Sequence, residues 1–325
     1  MRFIHNTSTD PAFNLACEEW LLKHSEEDVF MLWRNAPAVI VGRNQNTLSQ
    51  IDEEFVRTRK IPVIRRLSGG GAVFHDLGNI NFTFIDLKRS GEGLDFRRFT
   101  EPILDALRHM GVPCEFDGRN DLVIKGQKFS GNAQHIHQNR VLHHGTLLFS
   151  SQIADLSGAL RVDPEKYRDK AVKSVRKRVT NIASHLPEPM SVKKFLNRLM
   201  AHVATGADRG DMSLAQEEIR AVETLAEEKY RTWEWNFGYS PQYGLIRKNR
   251  TPGGLLEVHL DVNRGEIAAV RLFGDYFGSR DVGELEALLR GCRHEREALR
   301  LRLADLPLEQ YLRDVTMDDF LDSLF

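Results

Sequence analysis

The stretch RRLSGGGAVFHD, Arg65 to Asp76, sets three consecutive glycines between a pair of arginines and a histidine. Glycine loses more backbone freedom on folding than any other residue, so a triplet is retained only where something needs a bare main chain. Val63–Arg66 before it and Ala72–Phe74 after it have strand composition, which makes the triplet a turn between two strands. Backbone N–H groups freed in such a turn can face an anion, and missing side chains let a phosphate approach. Arg66 adds a guanidinium able to hold the same anion in a bidentate way. A tight hairpin that uses glycine for positive φ accounts for the same residues. This stretch alone leaves both readings open.

Narrower loop patterns do not fit. Gly69-Gly70-Gly71-Ala72-Val73-Phe74 lacks the third glycine of the dinucleotide fingerprint, and no P-loop sequence occurs in the chain. Ser68 has Arg66 rather than glycine two places earlier, so it is not a nucleophile elbow.

Outward from the triplet, Asp10-Pro11 opens a helix, and Phe13, Ala16, Cys17, Trp20 and Leu21 form its apolar face. Strand-like runs follow at Val29–Trp33, Ala38–Val41, Asn81–Ile85, Leu122–Ile124, Lys128–Gln134 and Val141–Phe149, with one helix from about Thr100 to Met110. Strands adjacent in sequence with few helices between them point to an α+β domain. Helices are expected over Val192–Val203 and Leu214–Tyr230. Arg247–Gly254 reads as a connection, dividing a large domain (residues 1–246) from a small α+β one (residues 253–325). In the latter, alternating Leu256, Val258, Leu260 and Val262 give a strand, Ile267–Phe273 a second, and Val282, Leu285, Leu288, Leu289 and Cys292 an amphipathic helix.

Composition narrows the function classes. The chain has 325 residues, 41% hydrophobic and 28% charged, with a net charge of −1. No global attraction to nucleic acid or membrane follows, so anions must be bound locally. Cys17, Cys114 and Cys292 have neither disulfide nor zinc spacing, and no stretch has signal-peptide or bilayer-spanning length. The expected location is the cytoplasm.

Two further stretches carry chemistry. GRNDLVIKGQKFSGNAQ, Gly118 to Gln134, sets Lys128 among apolar residues. It reads as a snorkelling edge lysine or, with small Ser130, Gly131 and Ala133 beside it, as an ammonium next to a ligand. In VLHHGTLLFS, Val141 to Ser150, His143 and His144 face opposite sides of a strand and cannot share a metal. His135 and His137 share a face, but no nearby cysteine or carboxylate completes a zinc set.

Taken in order, RRLSGGGAVFHDLGN, GRNDL, QKFSGNAQ, LHHGTLL and SVRKRVTNI resemble the lipoate–protein ligase family, and WEWNFGYSPQY, GGLLEVHLDV and GDYFG resemble its C-terminal accessory domain. The resemblance implies a catalytic domain of the biotin/lipoate ligase type. It also implies ATP-dependent activation of lipoate to lipoyl-AMP, then transfer to a lysine on lipoyl domains of 2-oxoacid dehydrogenase acyltransferase subunits or on the glycine-cleavage H protein. By the same match, Lys128 is catalytic and contacts both carboxylate and phosphate. Arg66, Gly71, Ala72, Val73 and Phe74 join it at the nucleotide, and Ser68, His75 and His144 join it at lipoate. Asp121 and Asn120 are candidates for acid–base or metal support, Mg²⁺ arriving with ATP rather than in a protein cluster. Leu67, Val73 and Phe74 are candidates for an apolar tunnel. The basic segment Lys166–Arg178 is either a solvated loop or a cap on the adenylate that meets an acidic carrier.

Two rivals remain. One is a transferase using pre-activated or carrier-bound lipoyl or octanoyl groups; its octanoyl branches rely on a cysteine nucleophile, and none of the three cysteines lies in these motifs. The other is a non-catalytic lipoate or nucleotide sensor, against which the retention of Lys128 and Arg66 speaks. Biotin ligase itself is disfavoured because its arginine–glycine-rich loop is missing.

Overall fold

The computed structural model describes residues 1–45, 47–88, 94–152, 159–160, 179–206, 212–238, 245–263, 266–293 and 296–324. The basic segment Lys166–Arg178 lies outside them.

Helix α1 (Pro11–His24) starts where Asp10 accepts a hydrogen bond from the Ala12 amide at 2.9 Å. It is buried on nearly every side. Phe13, Ala16, Cys17 and Leu21 are joined in the interior by Asn14, Glu18 and Glu19, which an amphipathic reading puts outside.

Ten strands among the described residues of the N-terminal part form two sheets. They are β1 (Arg2–His5), β2 (Val29–Trp33), β3 (Ala38–Val41), β4 (Val63–Arg65), β5 (Val73–His75), β6 (Asn79–Asp86), β7 (Cys114–Asp117), β8 (Asp121–Ile124), β9 (Gln127–His137) and β10 (Arg140–Leu148). The larger sheet has the order β1-β2-β6-β10-β9-β8-β7, and the smaller β4-β3-β5. β6 shows how they are layered. Ile80, Phe82 and Phe84 point to one side, into a core with Ile103, Leu104 and Leu107 of α2 (Phe96–His109) and Leu199 of α3 (Val192–Val203). Each such side chain contributes about 1.5–3 kcal/mol by leaving water. Asn79, Asn81 and Thr83 alternate to the other side, which is equally buried. That side faces α1 and the small sheet, where Met31, Trp33, Ile40 and Ile64 form a second core.

The register of β8 with β9 shifts between Leu122 and Val123, so that Asp121 pairs with Gly131 while Val123 pairs with Lys128. Gly131 and Lys128 are three positions apart, which in a regular strand would put them on opposite faces. The bulge returns Lys128 to the face of Asp121 and Gly131.

In the C-terminal part, β11 (Leu245–Thr251), β12 (Gly254–Asn263) and β13 (Glu266–Gly274) make an antiparallel sheet backed by helices Val282–Leu289 and Met317–Leu324. The expectation of a connection over Arg247–Gly254 is therefore corrected: most of it is β11, and Gly253-Gly254 turns the chain into β12. A Cβ on Gly253 would lie 2.2 Å from the Arg313 carbonyl, and Gly254 has φ +129°. The C-terminal part lies against the large domain through Gly274 N–H to the Asn44 carbonyl (2.8 Å), Arg43 to Asp281 (3.0 Å), Arg313 to the Leu94 carbonyl (3.0 Å), and Arg119 to the Gly253 carbonyl. Among the described residues, no helix is long and apolar enough to cross a membrane.

Candidate active site

A cavity of about 410 Å³ lies between the polar face of the large sheet and the small sheet. At its mouth Lys128 Nζ is 2.7 Å from Asp121 Oδ1, both side chains partly open to solvent at 42% and 34%. The ammonium lies over Gly131, where an added Cβ would be 3.1 Å from Nζ. Thr180 N–H donates to the Lys128 carbonyl at 2.9 Å, holding the strand at the bulge. Asn120 also lines the mouth and donates to the Asn132 carbonyl at 2.5 Å. Leu15, Trp33, Ile40, Val73, His75 and Asn81 form the inner wall.

The glycine triplet forms the side of this cavity. Gly70 is left-handed at φ +88°, which only glycine adopts freely. A Cβ on neighbouring Gly42 would fall 2.0 Å from the Gly70 carbonyl, and one on Gly69 would fall 2.7 Å from the carbonyl of Tyr276 in the C-terminal part. The bare main chain thus makes room for the protein's own backbone as well as for a cavity. GDYFG (Gly274–Gly278), noted in sequence only as part of the accessory-domain match, brings Asp275 and Phe277 to the cavity wall.

Arg66 is 6% exposed and braces the loop: Nε donates to Ser68 Oγ (3.0 Å), NH2 to the carbonyls of Gly69 (2.6 Å) and Gly71 (2.9 Å). Burial lowers its pKa to about 10, with Glu18 acting the other way. Ser68 Oγ is 2.6 Å from His144 Nε2, and His144 Nδ1 is 2.9 Å from a Glu18 oxygen. A carboxylate opposite Nδ1 puts a proton there, and in the neutral ring Nε2 accepts from the serine hydroxyl. Glu18 also accepts from Thr83 (2.6 Å), which accepts from Trp33 Nε1 (2.9 Å). One hydrogen-bonded chain therefore runs from the inner wall to the glycine loop.

Several sequence-derived candidates come together on the cavity: Arg66, Gly71, Ala72, Val73, His75, Asn120, Asp121, Lys128 and His144. Others do not. Ser68 is 1% exposed behind the wall, its hydroxyl engaged by His144. Phe74 alternates away from Val73 and His75 into a cluster with Val39, Val41 and Val63, so its side chain is not tunnel lining. Leu67 lines a second cavity of about 390 Å³, with His135 and His137, on the other side of the loop. Sequence reasoning missed Leu15, Glu18, Trp33, Ile40 and Asn81. For Asn81 a signal existed: NINFTFID alternates polar with apolar, and both sides are buried. His143 turns from His144 as expected, stacking on Phe82 and Phe99.

The model of the lipoyl protein ligase A/B catalytic domain matches residues 10–204, and that of the bacterial lipoate protein ligase C-terminus matches residues 240–324. The chain belongs to the lipoate–protein ligase family. It is 40% identical to the lipoate-protein ligase LplJ of Bacillus subtilis (strain 168), each chain covered fully. It is also 40% identical to lipoate–protein ligase 1 of Staphylococcus aureus (strain Mu50), with 97% of each covered. Among solved structures, a bi-partite lipoate protein ligase of Thermoplasma acidophilum, described with its E2 lipoyl domain, matches at TM-score 0.64 and 27% identity over 75% of this chain and 100% of that one. A lipoate-protein ligase A bound with ATP matches at 0.61 and 25% identity over 73% and 98%. As a family member the protein is an ATP-dependent ligase acting on lipoate.

Proposed function

We propose that the 410 Å³ cavity is the site of both half-reactions, with Lys128 at the point where they meet. In the first, an oxygen of the lipoate carboxylate attacks the α-phosphorus of ATP, forming the mixed anhydride lipoyl-AMP and releasing pyrophosphate. Both reactants are anionic, and a fixed ammonium between them favours the crowded transition state more than either ground state. In the second, a lysine amine of the carrier attacks the acyl carbonyl, the C–O bond to phosphate breaks, and AMP leaves. A free lysine, with pKa about 10.4, is neutral in only roughly one molecule in a few thousand at pH 7. Asp121 is the carboxylate at the mouth able to take the surplus proton.

The observation that carries this reading is the asymmetry of one continuous cavity, an ammonium at its open end and an apolar wall of Leu15, Trp33, Ile40 and Val73 at its closed end. That is the shape of a carboxylate with a hydrocarbon tail. ATP enters as its Mg²⁺ complex. Such an ion commonly takes one or two carboxylates beside the phosphates, and Asp121 and Asp275 are the carboxylates on the wall. The carriers are lipoyl domains; Arg176→Ser with Lys177→Ser, in the basic segment outside the described residues, then slows transfer.

The deciding experiment incubates the protein with ATP, Mg²⁺, lipoate and an unmodified lipoyl domain, and reads the mass of the domain. In parallel, ATP is omitted and octanoyl carrier protein supplied. A lipoyl increment in the first tube alone is expected. Product in the second alone would make the protein a transferase, and lipoate binding without product in either would make it a sensor.

A further inference from the structure

Two polar groups on the inner wall have no hydrogen-bond partner among the described residues: His75 Nε2 and Asn81 Nδ2, on side chains whose residues are 3% and 2% exposed. The ring proton of His75 can be located by following its neighbours. Asn14 Nδ2 donates to the carbonyls of Ser8 (3.1 Å) and Arg34 (3.0 Å), which can only accept, so the orientation of that amide is set. The same nitrogen, sharing its two hydrogens among three acceptors, also faces Asn35 Oδ1 (2.8 Å), which turns Asn35 Nδ2 toward His75 Nδ1 at 3.0 Å. His75 Nδ1 must accept, and a neutral imidazole then carries its proton on Nε2. Burial, together with Arg66 and His144, lowers the His75 pKa to about 3, so the ring stays neutral. A buried ladder of asparagines thus fixes an N–H on a residue of the cavity wall, and leaving such a donor unpaired is costly.

The distance of Asn81 from Lys128 follows from the register. Trp33 pairs with Asn81, Asn81 with Thr146, and Asp121 with Gly131, while Gly131 N–H donates to Thr146 Oγ1 at 3.2 Å. These residues form one row across the sheet. Strands lie about 4.8 Å apart, so Asn81, two strands from Gly131, is about 10 Å from the ammonium. An extended chain advances about 1.2 Å per bond, so the six bonds from carboxyl carbon to ring sulfur span about 7 Å. A charged contact of about 3 Å at Lys128 completes the distance. The His75 ring is 6.2 Å from that of Trp33, edge on, at this end of the row.

We infer that His75, with Asn81 beside it, determines specificity for a sulfur-bearing acyl chain over a plain alkyl chain, by donating its Nε2–H to a dithiolane sulfur. The inference rests on the proposed reading of this cavity as the acyl site. Sulfur is a weak acceptor but polarisable, and suits the edge of an aromatic ring. The alkyl end of octanoate would leave the donor unpaired, and a site built around a donor rejects a ligand that cannot accept from it.

The test measures ATP-dependent pyrophosphate release with lipoate, octanoate and 5-cyclopentylpentanoate, which keeps the ring shape without sulfur. The wild-type protein should prefer lipoate to both others by about tenfold. His75→Phe should remove most of that preference through a higher KM for lipoate, and His75→Gln, which keeps a donor, should retain more of it. Equal use of lipoate and the cyclopentyl acid by the wild-type protein overturns the inference without any variant. So does an equal loss on lipoate and octanoate in His75→Phe. If the wild-type protein turns over none of the acids, the reading of the cavity falls together with this inference.

Discussion

The two ends of the cavity are built from opposite materials. At the mouth, Lys128 and Asp121 carry full charges, partly hydrated and paired mainly with each other. At the inner end, His75 and Asn81 are buried and neutral, positioned by other buried amides and by backbone. The Lys128–Asp121 pair sits where water still reaches and where phosphate must be neutralised, whereas the buried Arg66 and Glu18 are each held by several hydrogen bonds. Deep in the fold, an unpaired charge would cost far more than it contributes, and oriented dipoles take its place. Each end can be disturbed separately.

The largest effect is expected at the mouth. Lys128→Ala should lower pyrophosphate release with lipoate by about 10²–10³-fold, the loss typical of removing one positioned electrostatic group. Its thermal unfolding should stay close to that of the parent, because the side chain is half exposed. A comparable loss of folded protein would mean that the lysine is structural and that the contrast between the ends fails.

Beneath the cavity floor, Gly145→Ala would push a methyl to 2.1 Å from Asn132 Oδ1 and 2.5 Å from the Phe82 ring. Overpacking of this kind costs about 1–3 kcal/mol, to be read from denaturant unfolding. An unchanged midpoint would show the floor to be softer than its packing implies.

The neutral inner end makes a prediction about pH. His75 has a folded pKa of about 3, below its ordinary 6.5, so its contribution to stability is complete above pH 6.5 and is lost as pH falls toward 3. At pH 5 the loss is about 2 kcal/mol. The stability advantage of the parent over His75→Gln should shrink by that amount between pH 7 and pH 5, since the variant has no ring to protonate. A constant difference would mean that the ring titrates in the folded protein as it does in the unfolded chain. The smallest effect is expected from Glu18→Gln, which keeps the contact to His144 but removes the charge. KM for lipoate should rise a few-fold, on the order of the 1 kcal/mol of one charge-assisted hydrogen bond, with kcat little changed.

Local features were readable from the chain. The Asp10 cap, the termini of β2 and β3, the helix Val192–Val203 and the opposed histidines at 143 and 144 all follow from capping and period-two alternation. The motifs around Arg66 and Lys128 marked both sides of the cavity. What escaped depended on distant partners. Glu18 looks like an exposed helical carboxylate until His144, 126 residues away, closes on it. Phe74 sits inside the glycine motif, yet its strand turns it into another cluster. Asp275 and Phe277 reach the cavity from the far end of the chain.

The amino-acid order by itself determined where the chain must bend, which runs alternate, and which residues could meet an anion, because these depend on neighbours a few positions apart. Tertiary structure alone decided that Lys128 faces the cavity, through a bulge set by the register of two strands, and that His75 holds its proton on Nε2, through a ladder of asparagines. Both outcomes rest on contacts between segments far apart in the chain, whose geometry exists only once the sheets are stacked.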